Sequence, residues 1–169
     1  MYGLVVGIVV ALFSYTRVAR RPFWINGDII APGIMLGFVL YRMGCVVNGC
    51  CYGLPADLPW AIVYTHPDSL APLRIAIHPT QMYHLVLSFI AFAILWILRK
   101  RLQPDGALFL LWLILFAVTD LPVRFFRVAN PFLSGWQLAQ IVDVALLAIA
   151  VPWFIIRVRR SPKPLAVKQ

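Results

Sequence analysis

Five apolar stretches, Tyr2 to Thr16, Ile29 to Val47, Met82 to Leu98, Gly106 to Val123 and Trp136 to Ile156, follow one another through connections too short to fold alone. Crossing the hydrocarbon core of a bilayer takes about 20 apolar residues in a helix. The fold expected is therefore all-α, a polytopic membrane helix bundle with about five transmembrane helices, the first of them short. Hydrophobic residues make up 62% and charged residues 12% of the chain, with a mean hydropathy of +0.87, and no separate soluble domain is visible. Residues 1–160 read as a single transmembrane helical domain, and residues 161–169 as a basic cytoplasmic tail. The first residues lack the basic segment and small-residue cleavage site of a signal peptide, so the chain is expected to begin almost directly in a helix.

The net charge of +9 does not point to nucleic acid, because Lys and Arg sit at the ends of apolar runs. Arg17, Arg20 and Arg21 follow the first stretch, Arg99, Lys100 and Arg101 the third, and Arg157, Arg159, Arg160, Lys163 and Lys168 the fifth. Alternating helices bring all of these to one side, which the positive-inside rule makes cytoplasmic. The amino terminus is then outside and the carboxyl terminus inside. The loop from Gly49 to Thr80 and the turn from Arg124 to Ser134 face outward, with Trp60 and Trp136 suited to the interfacial aromatic belt.

The polar residues inside these runs are the candidates for chemistry. In "YRMGCVVNGCCYG", residues 41–53, Arg42 interrupts an apolar helix, which calls for a cavity, an internal carboxylate or a lipid phosphate as its partner. Gly33, Gly37 and Gly44 form a small-residue stripe on the opposite face and are expected to pack against another helix. Cys45, Cys50 and Cys51 lack paired C-x2-C spacing, so they read as small packing residues and no metal is expected. "HPTQMYH", residues 78–84, marks entry to the third span, where Pro79 suits a first helical turn and Thr80 and Gln81 can serve unpaired backbone groups. "TDLPVRFFR" sets Asp120 four residues before Arg124, an ion-pair spacing, and adds Arg127. Such an excess of arginine at the outer boundary suits an anion. Gln137, Gln140 and Asp143 make a polar patch in the fifth span, and Asp143 is a candidate internal partner for an arginine.

Together "YGLVVG", "GDIIAPGIMLGFVLYRMGCVVNGCCYG", "HPTQMY", "RFFR" and "SGWQLAQI" resemble, in order and spacing, the prolipoprotein diacylglyceryl transferase family of the bacterial inner membrane. The resemblance implies transfer of the diacylglyceryl group of phosphatidylglycerol to the lipobox cysteine thiol of a prolipoprotein, with release of glycerol phosphate. It implies an active face on the periplasmic or outer side, membrane lipids and a prolipoprotein signal peptide as partners, and no cofactor. By the same resemblance Arg42, Arg124, Arg127 and Tyr2 are catalytic candidates. Asn48, Gly53, His78, Gln81, Tyr83 and Gln137 are candidates for binding substrate, Asn48 and Gln81 as donors and Gly53 by allowing close backbone approach. The reacting thiol arrives on the substrate, so the chain's own cysteines are not needed as nucleophiles.

The chain departs from the family pattern in places. It begins where a His-Gly-Gly or Tyr-Gly-Gly motif normally lies, with Tyr2 and Gly3, and two further helices are expected upstream of that point. The order of acid and arginine in "DLPVRFFR" is exchanged, which shifts the arginine by one turn, about 5 Å. His84 stands where the family often has an acid, and Cys45 and Cys50 where it has Asn and Glu. These departures keep two alternatives open: a non-catalytic relative that binds anionic phospholipid or a lipoprotein signal peptide, and a thiol redox membrane protein.

Overall fold

Apolar side chains on α-helical backbone dominate the computed structural model of the chain, which describes residues 2–128 and 136–160. The helices are α1 (Tyr2–Val18), α2 (Phe23–Asn48), α3 (Thr80–Leu98), α4 (Ala107–Arg124) and α5 (Leu138–Arg160). Among the described residues α2 to α5 are four helices long and apolar enough to cross a membrane, while α1 is shorter. The chain is thus a polytopic helical membrane protein. The expected tail at 161–169, and the part of the outer turn at 129–135, lie outside the described residues.

Side chains on these helices are apolar outward as well as inward; Ile29 is 71% and Val47 81% exposed. In water that would be costly, whereas against lipid tails it is neutral, so the bundle is held by packing and by its polar interior. Ala31, Met35 and Phe38 of α2 meet Ala91 and Leu95 of α3 and Leu108, Phe109, Trp112 and Phe116 of α4, with Leu12 of α1 against them. The rings of Phe38 and Phe116 lie 5.1 Å apart at this seam. Gly33, Gly37 and Gly44 are exposed, and a Cβ at any of them would meet nothing within 4 Å. The expected packing of that stripe is not found among the described residues. The packed face of α2 is instead the opposite one, carrying Ala31, Met35, Phe38, Arg42 and Cys45.

α2 begins six residues before the apolar stretch read from the sequence, because Asn26, Gly27 and Asp28 look like loop and serve as contact. Asn26 Nδ2 donates to the Pro22 carbonyl at 2.8 Å, holding the first turn. Asp28 accepts the backbone N–H of Gly106 at 2.5 Å and of Phe109 at 2.8 Å, so a carboxylate from α2 satisfies the open N-terminal donors of α4. Gly27 lets the Phe109 ring lie against the helix, where an added Cβ would come within 3.0 Å of it. At the same end the Arg157 guanidinium sits 4.2 Å from the Trp24 ring centroid and donates to the Asp105 carbonyl, which brings the last turn of α5 beside the start of α2. The basic ends of α1, α3 and α5 thereby share one end of the bundle.

The connection from α2 to α3 carries two short strands that no alternating pattern announced. β1 (Ile62–Val63) pairs antiparallel with β2 (Ala76–Ile77), with Ile62 opposite Ile77 and Val63 opposite Ala76. Removing the Asp28 carboxylate should open the start of α4. Asp28→Ala is expected to destabilise the bundle by about 1–2 kcal/mol, read by denaturant unfolding in detergent, and Asp28→Asn, which keeps an acceptor oxygen, by less.

Candidate functional site

Arg42, Asp120, Arg124 and His84 come from three helices and converge inside the bundle. Arg42 is 1% exposed, and its guanidinium lies 3.7 Å from Asp120 Oδ1 on α4. Arg124, one turn after Asp120, donates through Nε to Asp120 Oδ2 at 2.7 Å, and its terminal nitrogen is also 2.7 Å from that oxygen. His84 of α3 places Nε2 3.4 Å from Asp120 Oδ1. Of the partners open to Arg42 on sequence grounds, a carboxylate is therefore the one found, and the expected Asp120–Arg124 pair forms. Asp143 of α5 is fully buried. Among the described residues Arg42 and Arg124 thus share the one carboxylate of Asp120.

Arg127 lies at the rim, half-buried and close enough for its charge to act on Arg42 and His84. Its Nε is buried and has no hydrogen-bond partner among the described residues. The backbone that carries it is pinned by several contacts. Arg127 bridges Gly53, Leu54 N–H donates to the Phe126 carbonyl at 2.8 Å, and Gln137 Nε2 donates to the carbonyls of Arg124 at 3.2 Å and Arg127 at 3.5 Å. Gln137 thus holds the arginine segment through Nε2, while its Oε1 is buried with no hydrogen-bond partner among the described residues. Gln140 reaches back with Oε1 to the Gln137 N–H at 2.9 Å, the acceptor half of a capping box at the start of α5.

Gly53 is where backbones approach, although the partner is the protein itself. Its N–H donates to the His78 carbonyl at 3.2 Å, and an added Cβ would lie 2.6 Å from that oxygen and 2.8 Å from the Phe126 carbonyl. Neither neighbour is a flexible side-chain end, so only glycine fits. Thr80 and Gln81 serve backbone groups as expected, but those of the preceding turn. Thr80 Oγ1 donates to the Cys51 carbonyl at 2.8 Å and Gln81 Nε2 to the Cys50 carbonyl at 2.9 Å. Gln81 Oε1 is buried with no hydrogen-bond partner among the described residues.

His78 and Tyr83 sit together at the mouth. The Tyr83 hydroxyl lies 3.3 Å from His78 Nδ1 and accepts from Trp60 Nε1 at 2.9 Å, and the His78 and Phe126 rings are 5.0 Å apart. Trp60 and Phe126 were not singled out as site residues from the sequence; the repeated aromatics beside Arg127 were the available signal. Next to them a groove of about 410 Å³ runs between α3 and α4, lined by Met82, Val86, Leu87, Pro122 and Val123 along with Tyr83 and Phe126. Asn48 is exposed, about 120° around α2 from buried Arg42, and its carbonyl accepts the Leu70 N–H at 3.1 Å. Tyr2 opens α1, and its side chain lies outside the described residues.

Cys50 is poorly suited to attack. Burial, and then its contact with Cys45, push the Cys50 thiol up to about 12, so it keeps its proton at neutral pH. A larger residue at Gly53 should part the two strands it joins. Gly53→Ala is expected to destabilise the fold by about 1–3 kcal/mol, measured by thermal unfolding in detergent, with hydrogen exchange rising first at Gly53 and Leu54.

Comparison with known proteins places this geometry in context. Residues 1–156 match the family model described as prolipoprotein diacylglyceryl transferase. A phosphatidylglycerol–prolipoprotein diacylglyceryl transferase of Dehalococcoides mccartyi is 38% identical over 161 residues, covering 95% of this chain and 62% of the relative. Those of Clostridium tetani and Nitratidesulfovibrio vulgaris are 30% and 34% identical, over 96% and 99% of this chain and 65% and 63% of their own lengths. The chain therefore spans less than two thirds of the length of these relatives.

Proposed function

The chain belongs to the prolipoprotein diacylglyceryl transferase family, and from that premise we propose that it transfers the diacylglyceryl group of phosphatidylglycerol to the lipobox cysteine of a prolipoprotein. The observation that carries this reading is Arg127, a guanidinium at the rim of an arginine cluster whose buried Nε lacks a hydrogen-bond partner among the described residues. A lipid phosphate supplies the oxygen that this donor needs, and the forked guanidinium suits it. Arg42 and Arg124 stand behind it, anchored on Asp120. Their positive potential in a low-dielectric setting favours charge that builds on the departing phosphate.

In the reaction the substrate thiol sulfur bonds to the glyceryl carbon that carried the phosphate ester. The carbon–oxygen bond breaks, glycerol phosphate leaves with the electron pair, and the thiol proton passes to a base. His78, beside Tyr83 at the mouth, is the group we assign to receive it. Gln81 Oε1 accepts a hydroxyl of the lipid head, and the groove between α3 and α4 takes an acyl chain. Asn48, exposed at the end of α2, faces the incoming signal peptide. The basic ends of α1, α3 and α5 lie in the cytoplasm by the positive-inside rule, which sets the site at the outer leaflet of the bacterial inner membrane.

Purified chain incubated with phosphatidylglycerol and a lipobox peptide is expected to raise the peptide mass by one diacylglyceryl group. No gain from a folded sample overturns the reading, and lipid binding without the gain assigns the chain to lipid recognition alone. In an active sample Arg127→Ala should lower turnover by about a hundredfold or more; unchanged turnover removes Arg127 from the site.

A further inference from the structure

The three cysteines, whose spacing carries no metal pattern, are gathered by the fold. α2 ends at Asn48, Gly49 follows at φ 66°, and Cys51 adopts φ 62°. A left-handed conformation is uncommon for a residue with a side chain. This double reversal returns Cys50 and Cys51 alongside Cys45, the last buried residue of α2, and the three sulfurs lie within 4.8 Å of one another. Distant parts of the chain hold the reversal in place. Thr80 and Gln81 bind the Cys51 and Cys50 carbonyls, the Tyr64 hydroxyl donates to the Val46 carbonyl at 2.9 Å, and Leu70 N–H donates to that of Asn48. The surrounding fold thus holds the turn that brings the sulfurs together, the Cys50 thiol donates to the Cys45 carbonyl at 4.0 Å, and the thiols are not joined in a disulfide.

We propose that Cys45, Cys50 and Cys51 form a three-sulfur binding site for a soft closed-shell metal cation, with Cu(I) the ion that suits it best. Thiolates select Cu(I) and Zn(II) over harder ions. Zn(II) takes four ligands, and the mutually close ligand atoms found among the described residues stop at three. Metal–sulfur bonds of about 2.3 Å in a trigonal plane set sulfurs about 4 Å apart, a small contraction from the arrangement present. Arg42, one turn before Cys45 on the same helix face, acts electrostatically on Cys45 and Cys51 and offsets the negative charge of three thiolates around a monovalent ion. On binding, each thiol yields its proton to solvent and three sulfur–metal bonds form, with no change of oxidation state. Cys50 and Cys51 are half-exposed, which gives the ion a path from the outer side, while Cys45 closes the site from within. A metal here would fix the turn whose carbonyls receive Thr80 and Gln81. This inference does not depend on the transferase reading.

The test titrates the reduced full chain, in detergent and without oxygen, with Cu(I) buffered by a chromogenic chelator. One equivalent withdrawn per chain is expected, with three sulfur neighbours around copper by X-ray absorption. Cys51→Ser, at a half-exposed position, should keep the helical circular dichroism and weaken Cu(I) binding by at least about tenfold, the loss that even an outer-shell change brings. Zn(II) titrated in the same way is expected to bind more weakly than Cu(I), and tighter binding of Zn(II) overturns the choice of ion. Withdrawal no greater than by a chain with all three cysteines replaced by serine, fewer than three sulfurs on the metal, or an affinity unmoved in folded Cys51→Ser overturns it. The readout is metal binding, so its failure leaves lipid transfer to be judged separately.

Discussion

The Asp120 carboxylate meets the guanidinium of Arg42 from α2, the ring of His84 from α3 and the guanidinium of Arg124 from its own helix, and the half of the bundle away from the basic helix ends is organised around that meeting. Lipid-facing helices gain little from burying apolar surface against one another, so close packing and satisfied polar groups must supply the association. A buried guanidinium without an anion would be strongly unfavourable, and a carboxylate alone equally so. Placing one acid among these groups makes each helix depend on the position of the others. It also fixes two arginines deep in the interior while Arg127 stays at the rim.

The connections at this end of the bundle act as scaffold for that rim. Gly53 is the point where the strand-like segment after the cysteine turn crosses the backbone of both His78 and Phe126, and no other residue fits there. Through this crossing the entry to α3 and the exit from α4 share one backbone network. Gln137 extends it to α5 by donating to the carbonyls around Arg127. The aromatic trio of His78, Tyr83 and Phe126, with Trp60 donating to Tyr83, covers the side of this network that opens toward the groove between α3 and α4. A polar, arginine-bearing surface and an apolar groove thus lie side by side.

At the other end the logic is helix-terminal. Asp28 supplies from α2 the acceptors that the start of α4 lacks, and Arg157 joins α5 to the connection before α4 through the Asp105 carbonyl while stacking on Trp24. Both devices satisfy groups that a helix leaves open at its ends. Arg157, one of the clustered basic residues, therefore also braces the bundle.

The sequence by itself determined the helical membrane fold, the common end of the basic clusters, the Asp120–Arg124 pair and the family. Each of these follows from composition, spacing along one helix, or a contiguous motif. The start of α2 at Phe23, ahead of the apolar stretch from Ile29, and the two short strands went unseen, since a polar residue's partner on another helix leaves no mark in its neighbours. For the same reason the tertiary fold was needed to bring Arg42 to Asp120 and to set the amide nitrogens of Gln81 and Gln137 on backbone carbonyls. It also decided that Gly53 makes room for the chain's own carbonyls, that the glycine stripe faces outward, and that three sulfurs without a metal spacing come together. Left-handed turns and contacts between distant segments set those distances, and neither is written in the local order of residues.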